Sequence, residues 1–166
     1  MIRLRRSMTG ATLVELVITI VVIGVAIAGV VGAFSLIAGR SADPLNQTRA
    51  VALAQIYLDE ILNKKYDQTT PVGGVPKASG CSITPESDRA DYDDVDDYHG
   101  VDDRPPENGE GSPLGAEYSN FRVAVSVQCA GTEVGLASND DAKRIDVTVT
   151  DPTGQNYRFS AYRANF

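Results

Sequence analysis

The clearest pattern along the chain is an uncharged apolar run near its N-terminus. Glu15 precedes the run, and the residues from Leu16 to Gly39 carry no charge. About twenty helical residues are enough to cross the hydrocarbon core of a bilayer. The run therefore predicts a transmembrane helix over residues 11–39.

The next segment, residues 40–66, has a helical period and a single apolar stripe. The stripe recurs at intervals of three and four residues, which is typical of one face of an α-helix. Its members are Ala50, Leu53, Ala54, Tyr57, Leu58, Ile61 and Leu62. We predict an amphipathic helix whose stripe packs against an apolar surface elsewhere in the chain.

The C-terminal part alternates apolar and polar residues with a period of two. FRVAVSVQC (121–129) and RIDVTVT (144–150) both have this pattern, and the turn DPTG leads from the second into YRFSAYR (157–163). Such alternation predicts antiparallel strands with one buried face. The expected fold class is α+β: a long N-terminal helix, half transmembrane and half amphipathic, packed on a C-terminal antiparallel β-meander. Residues 67–166 would form the globular β domain, with a long acidic loop before the first of these strands.

Charges and cysteines indicate where this domain lies. Residues 1–10 carry Arg3, Arg5 and Arg6 and no acid, which predicts a cytoplasmic N-terminus. The chain from Arg40 onward would therefore lie outside the cytoplasm. In an oxidising compartment Cys81 and Cys129 are most simply a disulfide, since two distant cysteines and one histidine make no four-ligand zinc set. The net charge of −7 argues against nucleic acid as a partner.

The acidic loop contains one candidate ion site. Calcium takes clustered oxygen ligands, and the run DYDDVDDYHGVDD offers several carboxylates. The candidate ligands are Asp91, Asp93, Asp94, Asp96 and Asp97. Their spacing does not match an EF-hand loop, so a solvated acidic face without calcium or any other cofactor is the favoured interpretation.

The sequence gives no support for an enzyme. It has one histidine, no nucleophile-elbow motif, no phosphate-binding glycine loop and no zinc signature. We therefore expect no catalytic residues.

Glu15 is the residue that most needs an explanation, because a carboxylate at the start of a bilayer segment is expensive. It either lies at the level of the lipid headgroups or has a cationic partner. Cleavage after Gly10 would expose an α-amino group on Ala11, which a neighbouring subunit's carboxylate could pair with. Gly24, Ala28 and Gly32 lie four residues apart on one face, a spacing that allows close helix packing in lipid.

These features resemble the N-termini of type IV pilins and pseudopilins: the leader RLRRSMTG is followed by ATLVELVITIVVIG. The resemblance implies cleavage by a prepilin peptidase between Gly10 and Ala11, N-methylation of Ala11 and an assembly role for Glu15. Ala11 departs from the family's usual phenylalanine, and the apolar run lacks the proline that major pilins often have. Four further stretches resemble minor pilins of mannose-sensitive haemagglutinin (MSHA) pili, namely RAVALAQIYLDEIL, YDDVDDYHG, KRIDVTVTDPTG and YRANF.

The resemblance implies a minor pilin, with residues 1–10 as its leader peptide. It would wait in the inner membrane with its C-terminal domain in the periplasm. It would then enter a pilus at the cell surface, or the tip complex that initiates pilus assembly. Its partners would be other pilins, contacted through the N-terminal helix, the prepilin peptidase and the inner-membrane assembly platform. Two alternatives stay open: a minor pseudopilin of a type II secretion system, and a membrane-anchored periplasmic binding module that never polymerises.

Overall fold

The computed structural model describes residues 12–40 and 42–166. They belong to two compact units that divide between Asp43 and Pro44. The first contains helix α1, Leu13–Arg40. The second contains most of helix α2, Ala42–Leu62, and a sheet.

The sheet has four antiparallel strands in the order β1-β2-β3-β4. They are β1, Asp102–Asp103, β2, Arg122–Cys129, β3, Ala142–Thr150, and β4, Asn156–Ala164. β2, β3 and β4 are the strands expected from the alternation. The fold is α+β, as the sequence predicts, and Val125, Val147 and Phe159 lie side by side across the three long strands.

The expected turn joins β3 to β4. The Gly154 N–H donates to the Asp151 carbonyl at 3.0 Å, and Asp151 Oδ1 accepts from the Thr153 N–H at 2.8 Å. Gly154 has φ +88°, a conformation that glycine adopts without steric cost. Local side-chain bonding thus makes Asp-Pro-x-Gly a turn here.

The apolar stripe of α2 covers the sheet. Five of its members are buried together with the inward side chains of β2 and β3 in one core. They are Ala50, Leu53, Ala54, Tyr57 and Ile61. Helix α2 ends at Leu62, before the expected end at 66.

The segment between α2 and β2 was expected to be an irregular loop, and most of it is. It contains the short β1 and three single 3₁₀ turns at Arg89–Asp91, Asp96–Tyr98 and Ala116–Tyr118. Val95, Tyr98 and Val101 belong to the core. The disulfide between Cys81 and Cys129 joins this segment to β2 with a Cα–Cα distance of 6.1 Å, as predicted.

Truncating the stripe tests this packing. We expect Leu53→Ala to lower the free energy of unfolding by about 2 to 5 kcal/mol, because Leu53 is fully buried and its removal leaves a cavity. Leu45→Ala is the matched control on the same helix, at a side chain that is 52% exposed, and it should change stability by less than about 0.5 kcal/mol. Chemical denaturation of both variants measures the difference, and equal losses would contradict the helix-on-sheet core.

Candidate functional site

Helix α1 presents an apolar surface along its whole described length. Residues Leu13–Ser35 have a mean hydropathy of 2.8 and none of them is buried within the chain. Length and composition make this one helix long and apolar enough to cross a membrane. These exposed side chains need lipid or other helices around them, because leaving them in water is unfavourable.

Glu15 lies in the first turn of α1. Its backbone N–H donates to Thr12 Oγ1 at 3.3 Å, so Thr12 caps the helix. An acid in the first turn also interacts favourably with the helix dipole. Within residues 12–40 and 42–166, the Glu15 carboxylate has neither a hydrogen-bond donor nor an ionic partner.

Thr12 is a residue that the sequence analysis missed. Thr-Leu-Val-Glu, residues 12–15, has the spacing of a capping box, in which a threonine caps the helix and a glutamate three residues later bonds back to it. Only the bond from Glu15 N–H to Thr12 Oγ1 is present among the described residues. The carboxylate is not used for the reciprocal bond, and it therefore stays available to a partner.

The small residues Gly24, Ala28 and Gly32 are all exposed on α1. A methyl group added at Gly24 or Gly32 would meet no described atom within 4 Å apart from its chain neighbours and the adjacent backbone of its own helix. Their role in helix packing stays a prediction. The predicted cleavage and methylation sites, Gly10 and Ala11, lie outside the described residues.

The run DYDDVDDYHGVDD, residues 91–103 and called the acidic segment below, differs from the solvated face that the sequence favoured. Asp94, Asp96 and Asp97 are buried, with exposures of 3%, 1% and 2%. Asp97 Oδ2 accepts from the N–H groups of Asp93 and Asp94, both at 2.9 Å. The expectation was wrong for these three residues because the chain folds its own donors around their carboxylates, which offsets the cost of burying them.

Of the three buried carboxylates, that of Asp96 has the strongest hydrogen-bond partner. Its Oδ1 accepts from the ammonium group of Lys143, which is fully buried, and its Oδ2 accepts from the Thr84 N–H at 3.0 Å. Burial alone would raise the pKa of Asp96, but hydrogen bonds with Asp94 and Lys143 hold it below its usual value. Asp96 and Lys143 therefore form a buried ion pair.

The burial of Lys143 was also not predicted, although the sequence contains a pattern that indicates it. It precedes Ile145 and Val147 by two and four residues, so the period of β3 places it on the core face. A lysine on a core face requires a buried acid. Its other contacts are the Tyr66 carbonyl at 2.8 Å and Asp67 Oδ2 at 3.7 Å.

Three of the five candidate calcium ligands lie together. Oxygen atoms of Asp93, Asp94 and Asp97 are within 4.8 Å of one another. Asp91 is exposed outside this group, and Asp96 is engaged with Lys143.

The three grouped carboxylates already have protein partners or a proton. Asp93 Oδ2 forms an ion pair with Lys65 Nζ at 2.8 Å. Asp97 Oδ2 accepts hydrogen bonds from two backbone N–H groups. Burial, followed by the hydrogen bond and charge of Asp96, raises the pKa of Asp94 to about 7. The raised pKa favours the protonated form of this carboxyl, which weakens it as a calcium ligand.

Calcium binding can be tested directly. We expect millimolar calcium to leave the melting temperature of the full chain unchanged, because the ion would have to displace Lys65 and backbone donors. An ion that binds only the folded state would raise that temperature. A rise that a chelator reverses and Asp93→Asn abolishes would contradict this prediction and establish the ion site.

The single histidine has a structural role. His99 Nδ1 accepts a hydrogen bond from the Val127 N–H at 3.1 Å. This contact ties the acidic segment to β2. One of the two imidazole nitrogens is therefore occupied by a hydrogen bond from the backbone of β2.

Comparison with known proteins adds no relative: no family model, no curated protein and no solved structure matches the chain.

Proposed function

We propose that this chain is a minor type IV pilin subunit of an MSHA-like pilus. One observation carries the proposal. The Glu15 carboxylate heads an apolar helix whose residues Leu13–Ser35 are all exposed, and it has no partner among the described residues. A charge in this position calls for a partner outside the described chain.

Processing would supply that partner. Cleavage between Gly10 and Ala11 by a prepilin peptidase removes the arginine-rich leader and leaves an α-amino group four residues before Glu15. Methylation of Ala11 keeps this nitrogen basic. In a fibre the Glu15 carboxylate of one subunit pairs with the Ala11 amine of its neighbour, and in a low-dielectric environment this pairing fixes the axial register.

The apolar surface of α1 has two successive environments in this proposal. Before assembly it lies in the inner membrane, with the arginines on the cytoplasmic side and the second unit in the periplasm. The assembly platform then moves the helix from lipid to the contacts with other pilins. The face of Gly24, Ala28 and Gly32 allows those helices to approach closely.

In this proposal the second unit acts without catalysis. Its polar contacts support a structural role: the buried pair of Lys143 and Asp96 and the exposed His99 all hold the acidic segment to the sheet. A minor pseudopilin of a type II secretion system would share all of this chemistry. The genes that neighbour this one distinguish the two systems.

N-terminal mass analysis tests the proposal. We expect co-expression with a prepilin peptidase to shorten the chain by the ten residues of its leader and to leave a methylated Ala11. A Gly10→Leu variant is the control, and it should stay at full length because the peptidase requires the glycine. An intact arginine-rich N-terminus on the wild-type chain would favour the membrane-anchored binding module instead.

A further inference from the structure

Lys143 places a buried amino group beside two carboxylates in the second unit. Its side chain is 0% exposed and that of Asp96 is 2% exposed. Lys143 Nζ donates to Asp96 Oδ1, while Asp67 Oδ2 lies 3.7 Å from the same nitrogen. The Tyr66 ring covers this nitrogen, with its centroid 4.6 Å away.

We propose that Lys143 and Asp96 condense into an intramolecular isopeptide bond, with Asp67 as the group that carries the proton. Asp67 first takes a proton from the ammonium group, and the neutral amine attacks Asp96 Cγ. The Nζ–Cγ bond forms and the Cγ–Oδ1 bond breaks. The ammonium group loses two protons in all. Both end on Oδ1, one of them by way of Asp67, and Oδ1 leaves as water.

The stoichiometry of this step is complete without any other reactant. An ammonium group and a carboxylate become an amide and one water molecule, with no change in net charge or oxidation state. The neutral amide also removes the desolvation penalty of an ion pair buried at this depth.

The geometry suits the attack. An amine that donates to a carboxylate oxygen is within about 3.5 Å of the carboxyl carbon, the separation at which reacting atoms are near attack. The enclosure holds both groups in place, so the reaction does not depend on a chance encounter. Exclusion of water also slows hydrolysis of the product.

Thr84 stabilises the charge that develops. Its N–H and its hydroxyl lie 3.0 Å and 3.3 Å from Asp96 Oδ2. Oδ2 is the oxygen that stays and becomes negative in the tetrahedral intermediate. Two donors already aimed at this oxygen lower the barrier as an oxyanion hole does.

The bond would join two parts of the chain that are 47 residues apart, the acidic segment and β3. It forms once in each molecule, after folding has brought the three side chains together. It does not depend on leader removal or on the pilin assignment.

Mass spectrometry of the purified full chain tests the bond. The denatured and reduced protein should be one water lighter than its sequence, whether or not the leader is present. A protease digest should contain a branched peptide that joins Lys143 to Asp96. An unchanged mass in folded protein, or a water loss mapped to another residue, would overturn the proposal.

Two variants separate the roles of the three side chains. Lys143→Arg keeps the charge but has no amine that can form the amide, so it should have its full mass. Asp67→Asn keeps both reacting groups and should slow the condensation by roughly a hundredfold or more, the usual effect of losing a general base. If Asp67→Asn links as fast as the wild type, Asp67 is not the proton carrier and that part of the proposal fails.

Discussion

Lys143→Met is expected to lower the free energy of unfolding by about 3 to 5 kcal/mol. The ammonium group contacts the Tyr66 carbonyl and Asp96. Its removal leaves the Asp96 carboxylate in the core without the side chain that it contacts. Denaturant unfolding of the full chain in detergent micelles measures this loss.

Lys77→Met is the matched control for this substitution. Lys77 also pairs with an aspartate, Asp141 at 2.8 Å, but its side chain is 64% exposed. Exposed pairs contribute less than about 1 kcal/mol. A double variant, Lys143→Met with Asp96→Leu, should recover part of the lost stability because it removes the unpaired charge. If the two lysine variants lose equal stability, the buried pair does not hold the acidic segment in place.

Glu15→Gln is expected to leave membrane insertion intact and to reduce incorporation into pili by at least about tenfold. Insertion depends on the apolar residues of α1, which the substitution does not touch. In the proposed assembly mechanism incorporation depends on the charge of Glu15, and losing about 1.4 kcal/mol of pairing would change the partition tenfold. Quantitative immunoblots of sheared pili and of the membrane fraction measure the two quantities.

Thr12→Ala separates the pairing role of Glu15 from helix capping. It removes the hydroxyl that accepts from the Glu15 N–H, which costs about 1 kcal/mol of helix stability, but it leaves the carboxylate in place. Incorporation close to the wild-type level is therefore expected for this variant. If Glu15→Gln assembles normally, or if Thr12→Ala fails as severely, charge pairing by Glu15 is not the assembly mechanism.

The parts of the fold that could be predicted are those set by local pattern. Alternation in 121–129 and 144–150 places Val125 and Val147 on one face, and the spacing of Leu53 and Tyr57 places them on one side of a helix. Asp151 and Gly154 predict a turn because their bonding is local. In each case the physical cause lies within a few residues of its effect.

The parts that could not be predicted depend on distant partners. Nothing within a few residues of Asp96 indicates its burial, because Lys143 supplies the compensating charge from another strand. β1 has no apolar alternation, and Asp102 becomes part of a strand by pairing with Ala124 at the edge of β2. The candidate calcium ligands were separated for the same reason, since Lys143 withdraws Asp96 from the group formed by Asp93, Asp94 and Asp97.

In the proposed pilus, the disulfide between Cys81 and Cys129 would have a mechanical consequence for the subunit under load. A force applied across the second unit can unravel only the chain outside the covalent loop. The bond spans 48 positions, and each residue would contribute about 3.5 Å when fully extended. The oxidised subunit is therefore roughly 170 Å shorter at full extension than the reduced one. A fibre that contains it would lengthen less before the tension passes to the next subunit.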